Sequence, residues 1–555
     1  MLIDSRTVAT DAVIETDICI VGAGPAGITL AREFIGSSLR VILLESGKFE
    51  NDKRIQELNE GKVNSQYFRA DALAVGRRRQ FGGTPNGWEY TTEPGDGRLY
   101  ARCVPPEALD FESHVDDPAL CWPFSFDQLR PFFERGQRVW NSGRFDYEVD
   151  TWAGGLRPIE TATGILKTCI SQHGPNDVFT LRYRDDLLSA DNIDVYLTCT
   201  AVALESNGAA GRVRKLLVAR GDGRMFSVAA KTYILSCGGV ENVQLLLSSD
   251  VTQPGAGGNR HDIIGRYMTD HPELRMGSIF PSHPDVYEEM ALYDIRWVGG
   301  HMVSGFLTIS EEVKRSEKLL NMSVAMAARG PGFGTEAHRA LAGFVHAIQH
   351  GEAPSRLSAD IGSILRSPSD VIAAVLRSRK AGPYAEHRGG WSRPEANRKQ
   401  FGAIEFWSAF EQTPHRNNRL SLINDRDWLG RKKLRFDHCW SEVDRENVQQ
   451  SIKIFAEEIE TLGLGPVQPW IDFEGSARPR FRGFHHPMGG TRMHVDPRFG
   501  VVDQNCLVHG LSNVYIAGSS VFPTGLGYAN PTLTLLALAV RLGDHLKGSL
   551  GPSKA

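Results

Sequence analysis

Apolar and polar positions follow two different rhythms along this chain. Asp17-Ile-Cys-Ile-Val21 is a short apolar run, Gly22-Ala-Gly-Pro-Ala-Gly27 interrupts it, and Ile28 to Phe34 resumes at helical spacing. Arg40-Val-Ile-Leu-Leu44 predicts a second buried strand that ends at Glu45. Runs at 193–202, 213–219 and 231–235 predict further strands; the last enters Ser236-Cys-Gly-Gly239, and Val240 to Leu247 continues as an amphipathic helix. From about 276 to 484 the rhythm changes. Alternating segments at 300–310, 319–328, 401–412 and 419–423 predict an antiparallel sheet, with helices near 364–380 and 441–462. The tail resumes the first rhythm, with a strand in Asn513-Val-Tyr-Ile-Ala-Gly518 and a long helix over 530–546. This pattern predicts an α/β chain in which a domain built from both ends carries an inserted second domain.

Strand, glycine turn, helix, strand and terminal acid within about 30 residues make a dinucleotide-binding βαβ unit. Each residue type has a physical reason. Gly22 permits the tight turn, Gly24 lets backbone N–H groups approach a pyrophosphate, and Gly27 lets helix and strand pack closely. Ala23, Pro25 and Ala26 complete the turn, whose helix N-terminus faces the negative charge. Glu45 stands where a carboxylate accepts ribose hydroxyls. The unit alone is compatible with either FAD or NAD.

Composition narrows the partners. Lys and Arg total 62 against 66 Asp and Glu, a formal charge of −4, which offers no general electrostatic reason to bind nucleic acid or an anionic membrane. The eight cysteines are scattered without a Cys-x-x-Cys, so neither a metal site nor a disulfide framework is expected, and a reducing compartment fits. Met1 to Thr16 lacks the basic start and apolar core of a secretory signal. The apolar stretch 534–540 is too short to span a bilayer. The expectation is a cytoplasmic protein without a membrane span, with export on a partner subunit and oligomerisation left open.

Taken with Gly22 to Gly27 and Glu45, further motifs resemble the glucose–methanol–choline (GMC) oxidoreductases, flavoproteins that oxidise alcohols. These are Phe81-Gly-Gly-Thr-Pro-Asn-Gly-Trp88, Cys121-Trp-Pro-Phe-Ser-Phe-Asp-Gln-Leu-Arg-Pro131, Ser236-Cys-Gly-Gly-Val-Glu-Asn242, Gly265-Arg-Tyr-Met-Thr-Asp-His-Pro272 and Glu411-Gln-Thr-Pro414. His485-His-Pro-Met-Gly-Gly-Thr-Arg-Met493 and Ala529-Asn-Pro-Thr-Leu-Thr534 complete the set, and the latter looks most like the pyranose oxidase-related, sugar-oxidising branch. The resemblance implies a Rossmann-like FAD-binding domain (1–275 and 486–555) with an inserted α+β substrate domain (276–485) containing a large antiparallel sheet. It places the backbone around Val202 near adenine, Gly518 and Ser519 beside the ribityl and pyrophosphate, the Gly82 to Gly87 loop with Gly83 near the isoalloxazine ring, and Pro531 and Thr532 at its N1–C2=O edge. Many relatives carry a histidine, in some bonded covalently to the flavin, where Gly87 stands here, so non-covalent FAD is expected.

Oxidising an alcohol removes the hydroxyl proton and a hydride, the latter to flavin N5. His486 matches the family's base, and an imidazole with an unperturbed pKa of about 6.5 suits that task. Asn530 matches a position often occupied by histidine in other branches; its amide suits a hydrogen bond to the substrate oxygen, and Asn-Pro also suits a helix start. His485 is expected to point elsewhere, and His271, Trp88 and Trp122 to be structural. Glu411-Gln412 reads equally as site lining or support, and Arg77-Arg-Arg79 as a solvated loop or a contact to partner or phosphate. The expected activity is FAD-dependent oxidation of a sugar or glycoside CH–OH to a ketone, with oxygen, a quinone or a carrier protein as electron acceptor. A non-sugar alcohol, a cyanohydrin-type lyase with an idle flavin, an NAD-linked dehydrogenase and a non-catalytic flavoprotein are the rivals.

Overall fold

The computed structural model describes residues 1–92, 95–112, 120–206, 211–249, 259–350, 357–378, 387–394, 401–470 and 484–550. Its first sheet has eight strands. Spatially these run Leu2–Asp4, Ile193–Leu197, Val41–Leu44, Val13–Val21, Met225–Leu235, Val213–Arg220 and Cys199–Ser206, with Val514–Ile516 also pairing on Met225–Leu235. Pairing is parallel from Leu2–Asp4 to Met225–Leu235 and on to Val514–Ile516, and antiparallel in the remaining strands. The central parallel strands are covered on both faces, which explains their unbroken apolar runs: Ile18, Cys19 and Ile20 have no exposed surface. Chain ends meet here, because the Pro531–Leu550 helix packs on the Pro25–Glu33 and Phe126–Trp140 helices.

The second sheet is antiparallel and also eight-stranded. Its order is Val467–Pro469, Glu273–Ile279, Ala403–Phe410, Met322–Arg329, His301–Ile309, Leu166–Pro175 and Tyr100–Cys103, with Arg296–Val298 on His301–Ile309. Tyr100–Cys103 and Leu166–Pro175 precede residue 276, so the sheet reaches back into the stretch assigned from sequence to the cofactor domain. The strand expected at 419–423 forms, as Arg419–Arg426, in a separate three-stranded sheet with Lys432–Asp437 and Gly61–Asn64. Leu420, Leu434 and Phe436 anchor that small sheet while its tip stays polar and exposed. The helical stretch near 364–380 divides into Leu357–Arg366 and Pro368–Ser378, proline opening the second helix; residues 379–380 lie outside the described residues. Among the described residues no helix is long and apolar enough to cross a membrane.

Candidate active site

The Val13–Val21 strand delivers the chain into Gly22, whose φ of +102° a β-carbon would strain; that carbon would also lie 2.7 Å from the Ser236 carbonyl oxygen. The Pro25–Glu33 helix starts after Gly24, which supplies no side-chain cap, so the first-turn N–H groups stay available to an anion. Glu45 is buried behind the turn, where Oε2 accepts the Ala23 N–H at 2.9 Å and Oε1 the Gly47 N–H at 2.8 Å. Each oxygen keeps a second lone pair for a ribose hydroxyl. Burial pushes this carboxyl above its ordinary range, and the two N–H donors oppose that.

These elements open onto one cavity of about 380 Å³. Gly22, Gly24, Pro25, Ala26 and Glu45 line one part of it, and Gly83 and Gly87 another. Gly518, Ser519, His486, Asn530, Pro531 and Thr532 complete the wall that the tail contributes. Ala23 and Gly27 stand behind the wall. Val202 is also off the cavity, which Cys199, Thr200 and Ala201 of the same strand line instead. A β-carbon on Gly24 or Gly238 would meet nothing within 4 Å, so space for a ligand lies directly over both backbones. Open glycine backbone, uncapped helix terminus and buried acid together fit a dinucleotide such as FAD.

Gly24 and Gly27 separate binding from folding. At Gly27 an added β-carbon would lie 1.9 Å from the Gly22 carbonyl oxygen and 2.6 Å from Ser236 Oγ. Gly24→Val should therefore yield folded but colourless protein, and Gly27→Ala a poorly folding one. Released-flavin fluorescence and thermal melting check this; full FAD content in Gly24→Val would contradict the placement of the pyrophosphate.

The tail positions the reactive groups through backbone zipping. Met488 and Thr269 exchange N–H···O bonds of 2.9 and 3.0 Å, joining the 485–493 and 265–272 motifs. Asp270 Oδ1 accepts the backbone N–H of His486 at 2.8 Å and that of His271 at 2.9 Å, so one buried carboxyl group holds the main chain at both histidines. Asn530 directly precedes the Pro531–Leu550 helix, and its Nδ2 lies 3.2 Å from His486 Nε2. On its other side His486 Nδ1 lies 3.2 Å from His271 Nδ1, and His271 Nε2 lies 2.8 Å from the Gly525 carbonyl oxygen.

This chain of contacts fixes protons. A carbonyl only accepts, so His271 Nε2 carries the hydrogen. Burial pulls His271 down to about 4, leaving it neutral near pH 7 with Nδ1 as an acceptor. His486 Nδ1 must then donate. Burial, followed by the charges of His271, His485 and Arg102, holds His486 well below the ordinary imidazole value, so its Nε2 is an acceptor lone pair at the cavity wall, which takes the Asn530 Nδ2 hydrogen. His486 is thus unprotonated at working pH, with a lower pKa than its sequence predicts, because its ring is enclosed although it faces the cavity.

Other sequence expectations divide. His485 is exposed yet also lines the cavity. Trp122 is buried with Nε1 on Thr524 Oγ1 at 2.9 Å, while Trp88 packs on Trp140 and also borders the cavity. Glu411 and Gln412 are buried support: Glu411 accepts the Gly527 N–H, and Gln412 Nε2 pairs with His438 Nε2 at 2.9 Å. Arg77 and Arg79 pair with Glu241 and Arg78 lies against Gly87, and all three arginines line the cavity. His271, read from sequence as structural, touches the candidate base directly; its place in the Asp-His-Pro motif gave no sign of that contact.

Known proteins resemble this chain in sequence and in fold. Residues 414–539 match the family model described as GMC oxidoreductase. The chain is 25% identical over 333 residues to the fructose dehydrogenase large subunit of Gluconobacter japonicus, a match covering 59% of this chain and 49% of that protein. It is 24% identical to pyranose 2-oxidase of Lyophyllum shimeji, covering 71% of this chain and 58% of that protein. The match to 6'''-hydroxyparomomycin C oxidase of Streptomyces lividus, at 23% identity, covers 97% and 92%. The chain thus spans about half the length of the first two relatives and most of the third. The solved structure of pyridoxine 4-oxidase from Mesorbium loti shares the fold, with a TM-score of 0.53 and 15% identity over 96% of this chain and 99% of that one.

Proposed function

We propose that this chain, whose residues 414–539 match the GMC oxidoreductase family model, is a GMC oxidoreductase that oxidises a CH–OH group of a sugar or glycoside to a ketone, with His486 as base. The observation that carries this reading is the acceptor His486 Nε2 set 3.2 Å from the Asn530 Nδ2 donor at the wall of the dinucleotide cavity. A substrate hydroxyl that displaces this Asn530–His486 contact donates its proton to Nε2 and accepts a hydrogen bond from Asn530 Nδ2. Bound FAD supplies the hydride acceptor, at N5. The N-terminus of the Pro531–Leu550 helix, uncluttered by acidic side chains, favours negative charge in the adjoining cavity. Residues 1–275 and 486–555 serve the cofactor and 276–485 the substrate, with the two early strands of the antiparallel sheet assisting the latter. The sugar reading draws on the names of relatives that act on fructose, pyranose and an aminoglycoside. Anaerobic mixing of the holoenzyme with a panel of sugars and glycosides tests it. Bleaching of the oxidised flavin band supports the proposal; product formation with an unreduced flavin would point to a lyase.

Gly87 presents no nucleophile to a flavin, and its nearest side-chain neighbour is the Arg78 guanidinium, 3.2 Å from an added β-carbon. An arginine forms no ordinary flavin linkage, so this position supplies no covalent bond, and a non-covalently held cofactor is the proposal. Acid precipitation should release all yellow colour into the supernatant; colour retained on the denatured pellet would refute this.

A further inference from the structure

Next to the main cavity lies a small pocket of about 30 Å³ on the antiparallel sheet. Tyr90 and His387 line both spaces, so the pocket opens beside the proposed reaction centre. Its lining includes the guanidinium-bearing Arg102 and Arg388 and no aspartate or glutamate. Arg102 is 4% exposed and comes from the Tyr100–Cys103 edge strand. It crosses the Phe306 ring at 4.8 Å from the centroid, and Nη1 donates to Ser323 Oγ at 3.2 Å. Nη2 is buried without any hydrogen-bond partner, and among the described residues Arg102 forms no ion pair. The other deeply buried cations of this sheet and its surroundings are paired, Arg329 with Glu405 and Lys314 with Glu107. A buried guanidinium lacking a counter-charge is costly unless a ligand completes it.

We propose that Arg102 binds a carboxylate of the substrate, so that the preferred substrate is an acidic sugar or a glycoside bearing a carboxylate. The proposal rests on the sugar-oxidising reading and narrows it. A cavity needs about 10–15 Å³ of such space per water-sized group, so the pocket suits the two oxygens of a carboxylate. A planar guanidinium with a free Nη2 matches that group's geometry. The carboxylate takes no part in the redox step: it is unchanged while the CH–OH carbon loses a hydride to the bound flavin and the hydroxyl proton goes to His486.

Calorimetric titration of the holoenzyme with methyl glucuronide, methyl glucoside and glucose 6-phosphate tests the inference. The uronide should bind about 10- to 100-fold tighter than the neutral glycoside at low salt, the range for hydrogen bonds to a charged group. In Arg102→Met that ratio should collapse toward one, and Arg102→Lys should restore part of it if both variants melt near the parent temperature. Equal affinities, no uronide binding by the parent, tighter binding of the phosphate, or a ratio unchanged in Arg102→Met would each overturn it. Failure here is distinguishable from failure of the oxidation reading. Flavin reduction by neutral sugars without dependence on Arg102 leaves the base chemistry standing, whereas Arg102-dependent binding without flavin reduction removes only the chemistry.

Discussion

His486→Ala should retain FAD yet lose substrate-driven flavin reduction by about 10²–10⁴-fold, the usual worth of general-base assistance. Cofactor retention follows because the glycine turn, Glu45 and the Ser519 region line the cavity independently of the imidazole. Stopped-flow reduction under anaerobic conditions isolates this step from the acceptor. A variant that reduces its flavin as fast as the parent at neutral pH would assign the base elsewhere. Asn530→Ala should cost less, about 1.5–3 kcal/mol for one hydrogen bond to a developing charge. Asn530→His should keep appreciable activity, since histidine also donates a hydrogen bond from this position.

The parent's pH profile carries the same argument. A histidine held down by burial stays unprotonated as pH falls past the ordinary imidazole value, and protonates only further into acid. The acid limb of kcat/KM should therefore lie below pH ~6.5. Loss of activity centred at that ordinary value would mean that His486 titrates as a solvated residue.

The parts of this site that were legible in sequence are those in which backbone geometry restricts residue type. Gly22 needs a positive φ, Gly27 an absent β-carbon, and the central strands unbroken apolar runs because both their faces are covered. The Leu166–Pro175 strand gave no such signal. Its Ser171, Gln172 and His173 are buried by hydrogen bonds, to Ser304, to the Arg144 and Asp146 carbonyls and to Ser304 again, rather than by apolar character. Arg102 was silent for the same reason: a buried cation on an edge strand has no periodicity to betray it. The 419–423 segment alternates correctly for a strand, but alternation does not say which sheet a strand joins. Val202 marks its segment, which reaches the cavity through the preceding Cys199 to Ala201.

His271 is the second residue whose replacement should change the rate strongly, and the direction depends on which of its two nitrogens matters. If its role is to hold the 525 loop, the donor Nε2 to the Gly525 carbonyl is the essential contact. If it sets the tautomer of His486, the acceptor Nδ1 is essential, because an acceptor there works with the Asn530 Nδ2 donor to keep the hydrogen on His486 Nδ1 and the lone pair on Nε2. Asparagine carries its amide oxygen near the position of Nδ1, and glutamine its amide nitrogen near that of Nε2. The hydrogen-bond chain favours the tautomer role, since His486 Nδ1 faces no other partner than His271 in the observed contacts. His271→Asn should therefore keep most of the reduction rate, while His271→Gln should lose on the order of tenfold or more, the worth of a hydrogen bond to a group that becomes charged. Both should bind FAD fully, and the loss should fall on kcat rather than KM, because the tautomer matters when the proton moves. Nitrogen-15 chemical shifts of His486 give a direct readout, with the Nδ1–H form retained in His271→Asn and mixed tautomers in His271→Gln. The reverse ranking, with glutamine active and asparagine slow, would make His271 a loop anchor and return the choice of tautomer to the substrate itself.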